Sequence, residues 1–218
     1  ELEIAAIGGK DSMSGSFKDM NVPPTLITFA IDVMDANYVI SPEFKEAGSA
    51  VVLFKLKRDQ YDCPDFAQLK KNYTKITEKI KDQKILSAHT VTEGGIAAAL
   101  SKMTFGNKIG FAFCTQVQTK SLFTPDYGSI ILEISGANSD NVSEIIRDMD
   151  CQIIGHTLNE PVIHINDIRI PIDDIRDVWE KPLEQIFPTR TKTSNQPVKT
   201  TLHHKRINNK PRTKIAKP

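Results

Sequence analysis

The sequence predicts an α+β fold, a mixed β-sheet with flanking helices, from three observations. Short apolar runs and helical repeats alternate irregularly, without the strict strand–helix succession of a doubly wound parallel sheet. Hairpin turns fall between several of the runs. The chain of 218 residues is long enough to bury a sizeable core.

Each element follows from local chemistry. Asn21-Val22-Pro23-Pro24 makes a turn, and Thr25–Ile31 reads as a buried strand. Ser41-Pro42-Glu43 reads as an N-cap with proline at the first position of a short helix that Gly48 closes. Residues Ser49–Lys57 form the next strand. Phe66, Leu69, Tyr73, Ile76 and Ile80 recur at spacings of three and four, which predicts an amphipathic helix with lysines outside. Ile85–Ala88 is a short strand, and Ile96–Met103 an alanine-rich helix stopped near Gly106-Asn107. Strands follow at Gly110–Cys114 and Ser129–Ile134, then a helix at Asn138–Met149 capped by Asn138 or Ser139. Strands at Cys151–Gly155, Pro161–Ile165 and Ile168–Ile172 precede a last helix that starts near Asp173-Asp174 and is interrupted by Pro182. Asp173, Asp174 and Asp177 supply negative charge to that helix's N-terminal turns.

The charge is divided unevenly. Residues 190–218 hold nine Lys/Arg and no acid, which leaves 19 basic and 27 acidic side chains, a net of −8, in residues 1–189. The tail from about Lys192 lacks apolar periodicity and reads as a linker. Its lack of interleaved aromatics argues against nucleic-acid binding. No apolar run has the length of a membrane span and the sequence shows no signal-peptide pattern, so no membrane partner is expected. Cys63, Cys114 and Cys151 lack CxxC spacing and read as core thiols of a reducing, cytoplasmic protein.

Two segments carry candidate chemistry. Gly8-Gly9-Lys10-Asp11-Ser12-Met13-Ser14-Gly15 gathers small residues, a cation, a carboxylate and two hydroxyls. Glycines let backbone amides approach a ligand, Lys10 balances phosphate charge, Asp11 is a candidate Mg²⁺ ligand, and Ser12 and Ser14 donate to oxyanions. The same residues also suit a plain hairpin turn, and their order does not match a Walker A loop. In His89–Gly95, a strand-to-helix turn, Thr92 is placed as N-cap and Gly94 and Gly95 leave first-turn amides open to an anion. Glycines that allow close packing of the helix on the sheet are the alternative. His89 reads as a hydrogen-bonded structural histidine more readily than a catalyst. His156 and His164 are too far apart in pattern to point to a metal site.

Taken together, Gly-Lys-Asp-Ser-Met-Ser, Val-Pro-Pro-Thr-Leu-Ile-Thr-Phe-Ala, His-Thr-Val-Thr-Glu-Gly-Gly-Ile-Ala-Ala-Ala-Leu and Pro-Leu-Glu-Gln-Ile-Phe-Pro resemble the large, single-chain type of phosphoribosylformylglycinamidine synthase. The resemblance implies a fold like the C-terminal domain of aminoimidazole ribonucleotide synthetase. It implies that residues 1–36 finish an N-terminal-type subdomain, 37–190 form a C-terminal-type subdomain, and 191–218 link to a glutaminase domain. It implies an ATP-dependent ligase that works with Mg²⁺, formylglycinamide ribonucleotide and glutamine, here present as a fragment inactive alone. By the same resemblance Gly9, Lys10, Asp11 and Ser12 fall on a loop that contacts nucleotide, metal and substrate. Lys10 stands where small-type relatives carry an Asn metal ligand, which leaves Asp11 as the metal candidate. Thr90 and Thr92 stand where some large-type relatives carry an Asp and a Ser of an auxiliary nucleotide site. A stand-alone nucleotide-binding regulatory module is the alternative reading of the same segments.

Overall fold

A computed structural model describes residues 1–135, 139–147 and 149–189. The strands are β1 (Gly8–Ser12), β2 (Gly15–Phe17), β3 (Met20–Val22), β4 (Thr25–Phe29), β5 (Ala50–Phe54), β6 (Ile85–Thr90), β7 (Gly110–Phe113), β8 (Ile130–Ile134), β9 (Gln152–Leu158), β10 (Val162–Ile165) and β11 (Ile168–Pro171). The helices are α1 (Phe66–Lys81), α2 (Gly95–Phe105), α3 (Thr119–Phe123), α4 (Ser139–Ile146) and α5 (Ile172–Glu180). Seven strands form one sheet in the order β11-β10-β7-β9-β5-β8-β6. Only β10 and β7 run parallel; the other neighbours are antiparallel, so the sheet is mixed as expected.

Strand β5 lies near the middle of this sheet, and its run Ala-Val-Val-Leu-Phe is apolar because both of its faces are covered. Val51 and Leu53 join a core with Val91, Leu100, Met103 and Phe111, against α2. Val52 and Phe54 join a second core with Ile76, Ile85, Leu132, Val142 and Ile145, against α1 and α4. The periodic residues of α1 place Ile76 in that core with Tyr73 and Ile80 beside it. Asp65 caps α1 by accepting a hydrogen bond from the Gln68 amide at 2.9 Å.

Residues 1–35 depart from the expectation. The Gly8–Gly15 segment is not a loop: Gly8–Ser12 pairs antiparallel with Thr25–Phe29, and Gly15–Phe17 pairs with Met20–Val22. The strand read as buried is exposed throughout, with Leu26 at 82% and Phe29 at 51% of full exposure. A two-stranded ribbon has no layer on either face among the described residues, so apolar strand composition does not produce burial here.

The short helix expected after Ser41 is also absent; residues 41–48 form bends and turns. The reason lies 88 residues away. Glu133, fully buried on β8, accepts hydrogen bonds from the Lys45 amide at 2.8 Å and the Glu46 amide at 2.9 Å. Its Oε2 also accepts from the Ser87 hydroxyl at 2.8 Å. This satisfied carboxylate ties the segment to the sheet and sets Phe44 fully into the core. The start of α5 also shifts: Pro171 is its N-cap, and the chain passes straight from β11 into Ile172. Of the three thiols expected in the core, Cys63 and Cys114 are exposed and only Cys151 is half-buried. The proposed Asn138 cap and the basic tail lie outside the described residues.

Candidate functional site

The first candidate segment is a strand, and this determines how its side chains are presented. Consecutive strand residues point to opposite faces. Lys10 and Ser12 therefore share one face of the ribbon, and Gly9 and Asp11 the other. The register pairs Gly9 with Thr28, Lys10 with Ile27, Asp11 with Leu26 and Ser12 with Thr25. Lys10, Asp11 and Ser14 are exposed and Ser12 is half-buried. A Cβ on Gly9 would lie 2.9 Å from the Ile27 carbonyl oxygen, so this glycine serves the close approach of β1 and β4. Ser12 donates a long hydrogen bond, 3.5 Å, to the Pro23 carbonyl. Among the described residues no three His, Cys, Asp or Glu side chains gather into a metal-holding group. Asp11 is thus an exposed carboxylate outside any such group, a donor that fits Mg²⁺ held mainly by waters and ligand phosphates and not by a protein cage.

The second candidate segment sits at the end of β6. Helix α2 begins at Gly95, and its N-cap is Gly94 in the left-handed conformation (φ 81°), with no side-chain cap. Thr92 is therefore not the N-cap. Its carbonyl accepts from the Gly95 amide at 3.0 Å and its exposed hydroxyl is left to solvent. Gly95 is buried with φ 64°, and a Cβ there would meet the carbonyl oxygens of Leu122 at 2.4 Å and Thr124 at 2.7 Å. The close-packing role of this glycine is therefore real, and it seats α3 on the first turn of α2. Thr92 and Gly94 remain on the exposed side of the turn, where an anion has access. His89 Nδ1 lies 2.7 Å from the Thr90 carbonyl, which accepts a hydrogen bond from the ring N–H.

Sequence reasoning missed the support behind this turn. Tyr127 donates to Glu93 Oε1 at 3.1 Å, and partial desolvation followed by that carboxylate raises its phenol pKa above the ordinary value. The Tyr127 carbonyl in turn accepts a short hydrogen bond from the Arg58 guanidinium. No periodicity or motif links residues 34 and 69 positions apart; only the Lys55-Leu56-Lys57-Arg58 run was a readable signal. His156 and His164 lie in one row across β9, β7 and β10 with Ala112 between them, two strand spacings or roughly 10 Å apart.

No protein-family model matches the chain. It is 23% identical over 208 residues to the phosphoribosylformylglycinamidine synthase subunit PurL of Thermoplasma volcanium, covering 84% of this chain and 27% of that protein. It is 28% identical over 217 residues to a probable chloroplastic/mitochondrial phosphoribosylformylglycinamidine synthase of Arabidopsis thaliana, covering 83% of this chain and 15% of that protein. Among solved structures its fold is similar to phosphoribosylformylglycinamidine synthase II of Thermotoga maritima, with a TM-score of 0.57 and 14% identity over 81% of this chain and 32% of that one. The same organism's PurL complexed with AMPPCP gives a TM-score of 0.55 at 16% identity, again over 81% of this chain and 32% of that one. The chain spans only 15–28% of the length of these curated relatives. Over about four fifths of its length, then, this chain is similar to phosphoribosylformylglycinamidine synthases, as its motifs had indicated.

Proposed function

We propose that the chain is the C-terminal part of the second synthetase half of a phosphoribosylformylglycinamidine synthase. That enzyme converts formylglycinamide ribonucleotide, glutamine and ATP to formylglycinamidine ribonucleotide, glutamate, ADP and phosphate. The reading is carried by one observation: the similarity covers 84% of the chain but 27% of the relative. Residues 1–36 would complete a subdomain shared with preceding sequence, 37–190 would form the C-terminal-type subdomain, and 191–218 would lead toward a glutaminase domain. A cytoplasmic location accompanies this reading.

In this role the chain's residues bind and orient; none is assigned a catalytic step. Lys10, with the Ser12 hydroxyl on the same face, would neutralise and anchor phosphate oxygens. Gly9, on the opposite face, keeps β1 close to β4, and Ser14 would donate from the turn beyond it. Thr92 and the backbone at Gly94, with Gly95 packed behind, would hold a second anionic group at the α2 N-terminus. Asp11 would hold Mg²⁺, whose chemistry is to neutralise charge on transferring phosphoryl oxygens.

The test is an assay of the 218-residue chain with ATP, Mg²⁺, formylglycinamide ribonucleotide and ammonia, alone and together with the remaining synthetase domains. No turnover alone and turnover with those domains is expected. Product formation by the isolated chain overturns the assignment as a fragment. No turnover with the other domains present overturns the synthase assignment. Calorimetry with ATP and Mg²⁺ separates this reading from a stand-alone regulatory module, which requires micromolar binding by the isolated chain.

A further inference from the structure

Strand β5 is followed directly by Lys55-Leu56-Lys57-Arg58, three cations of which Lys55 and Arg58 line a cleft of about 560 Å³. Two of them are neutralised. Lys57 Nζ is 3.0 Å from Asp150 Oδ2. Arg58 Nε lies 3.7 Å from Asp62 and 3.9 Å from Asp126, and its guanidinium donates to the Asp62 and Tyr127 carbonyls. Lys55 lines the cleft, and its ammonium has no hydrogen-bond or ion-pair partner among the described residues. The floor is apolar, built from Leu53, Leu122 and Ile154, which are 4%, 4% and 6% exposed, with Phe113 beside them. Gln152 and Thr115, also on the wall, have side chains free to hydrogen-bond.

We propose that this cleft is a binding site for a small organic monoanion, an apolar or aromatic body carrying one carboxylate, with Lys55 as its counter-ion. The volume is that of a small-molecule site, and an apolar floor with a few polar groups is the usual construction. The single uncompensated cation sets the charge. Asp62 and Asp126 on the same wall already saturate Arg58 and repel a polyanion, so a nucleotide triphosphate is excluded. No residue from Thr90 to Gly95 lines the cleft, so it is distinct from the glycine turn. The two are nevertheless in contact. Leu122 and Thr124 line the cleft and present their carbonyls to Gly95, while Tyr127 lines it and binds Glu93. A bound anion is therefore felt at the turn.

The experiment is a titration of the ¹⁵N-labelled 218-residue chain with 2-naphthoate, its neutral amide and Mg²⁺–ATP, followed by amide chemical shifts. Naphthoate is expected to shift the Thr115, Gln152 and Ile153 amides saturably, with smaller shifts at Glu93–Gly95. The neutral amide is expected to bind about tenfold more weakly. Lys55→Gln should remove that difference while the spectrum stays dispersed, and Lys57→Gln should keep it. Absence of saturable shifts at millimolar naphthoate, equal binding of acid and amide, or an unaffected Lys55→Gln variant would each overturn the site. Displacement of naphthoate from these amides by Mg²⁺–ATP would overturn the monoanion assignment.

Discussion

Gly95 and Leu122 are in backbone contact: a Cβ on the glycine would lie 2.4 Å from the leucine's carbonyl oxygen, where no side chain has room. The first turn of α2 and the short helix α3 are thereby locked together at a residue whose φ of 64° already disfavours any side chain. Gly95→Ala is expected to cost about 1–3 kcal/mol from backbone strain alone, and more once the clash is added. Urea unfolding measures it. An alanine variant of wild-type stability would contradict the packing.

The buried carboxylate of Glu133 makes a second test. Its two oxygens serve the Lys45 and Glu46 amides and the Ser87 hydroxyl. Glu133→Gln turns one acceptor oxygen into an NH₂ group facing donors, at an expected cost of roughly 1–3 kcal/mol. Hydrogen exchange at the Lys45 and Glu46 amides should quicken more than exchange in α1.

Thr92 separates binding from stability. Its hydroxyl caps nothing, so Thr92→Ala should leave folding stability within about 0.5 kcal/mol. If it donates to the nucleotide as proposed, the variant loses a hydrogen bond of about 1 kcal/mol, roughly fivefold in Kd. Calorimetry with Mg²⁺–ATP on the chain assembled with its remaining synthetase domains reads the second effect.

The acid limb of stability should depend on Glu43. Hydrogen bonds from Lys45 and then Ser41 hold its carboxyl at about 2, below the reference value of 4.5. A depressed folded-state pKa contributes stability above the unfolded value and loses it as pH falls through the folded one. Glu43→Gln should therefore flatten the decline in Tm between pH 4.5 and pH 2 and leave its slope above pH 5 unchanged.

The three thiols should differ in reactivity. Burial, then the Asp150 charge, pushes the Cys151 thiol up to about 11. The thiolate is the nucleophile. Alkylation by iodoacetamide at pH 8, mapped by mass spectrometry, should label exposed Cys63 and Cys114 first. Cys151 should follow only as pH approaches 11.

The large sheet and α1 were legible because their signals are periodic and local. Val51 to Phe54 form an unbroken apolar run, and Ile76 and Ile80 repeat on a helical face. The segment at Ser41 misled because its proline and Ser-Pro-Glu order mimic a helix start, while the deciding group, Glu133, lies far along the chain. Strand β1 was illegible for the opposite reason, although its partner β4 was read as a strand. Gly-Gly-Lys-Asp-Ser carries turn chemistry, and only pairing with Thr25–Phe29 makes it a strand. The way the candidate residues are presented was not readable from the sequence. Neither the N-cap at Gly94 nor the Tyr127–Glu93 contact has a sequence signature.

The alternation along β1 makes the ribbon a partition. Whatever Lys10 and Ser12 hold is separated by the thickness of one peptide plane from whatever Asp11 holds. On the proposed roles, a phosphate chain and its metal that engage both would curl around the edge of β1 that pairs with no other strand among the described residues, where the two sides meet. Swapping Lys10 and Asp11 would preserve composition and charge but exchange the sides, so the order of these two residues sets the handedness with which such a ligand wraps.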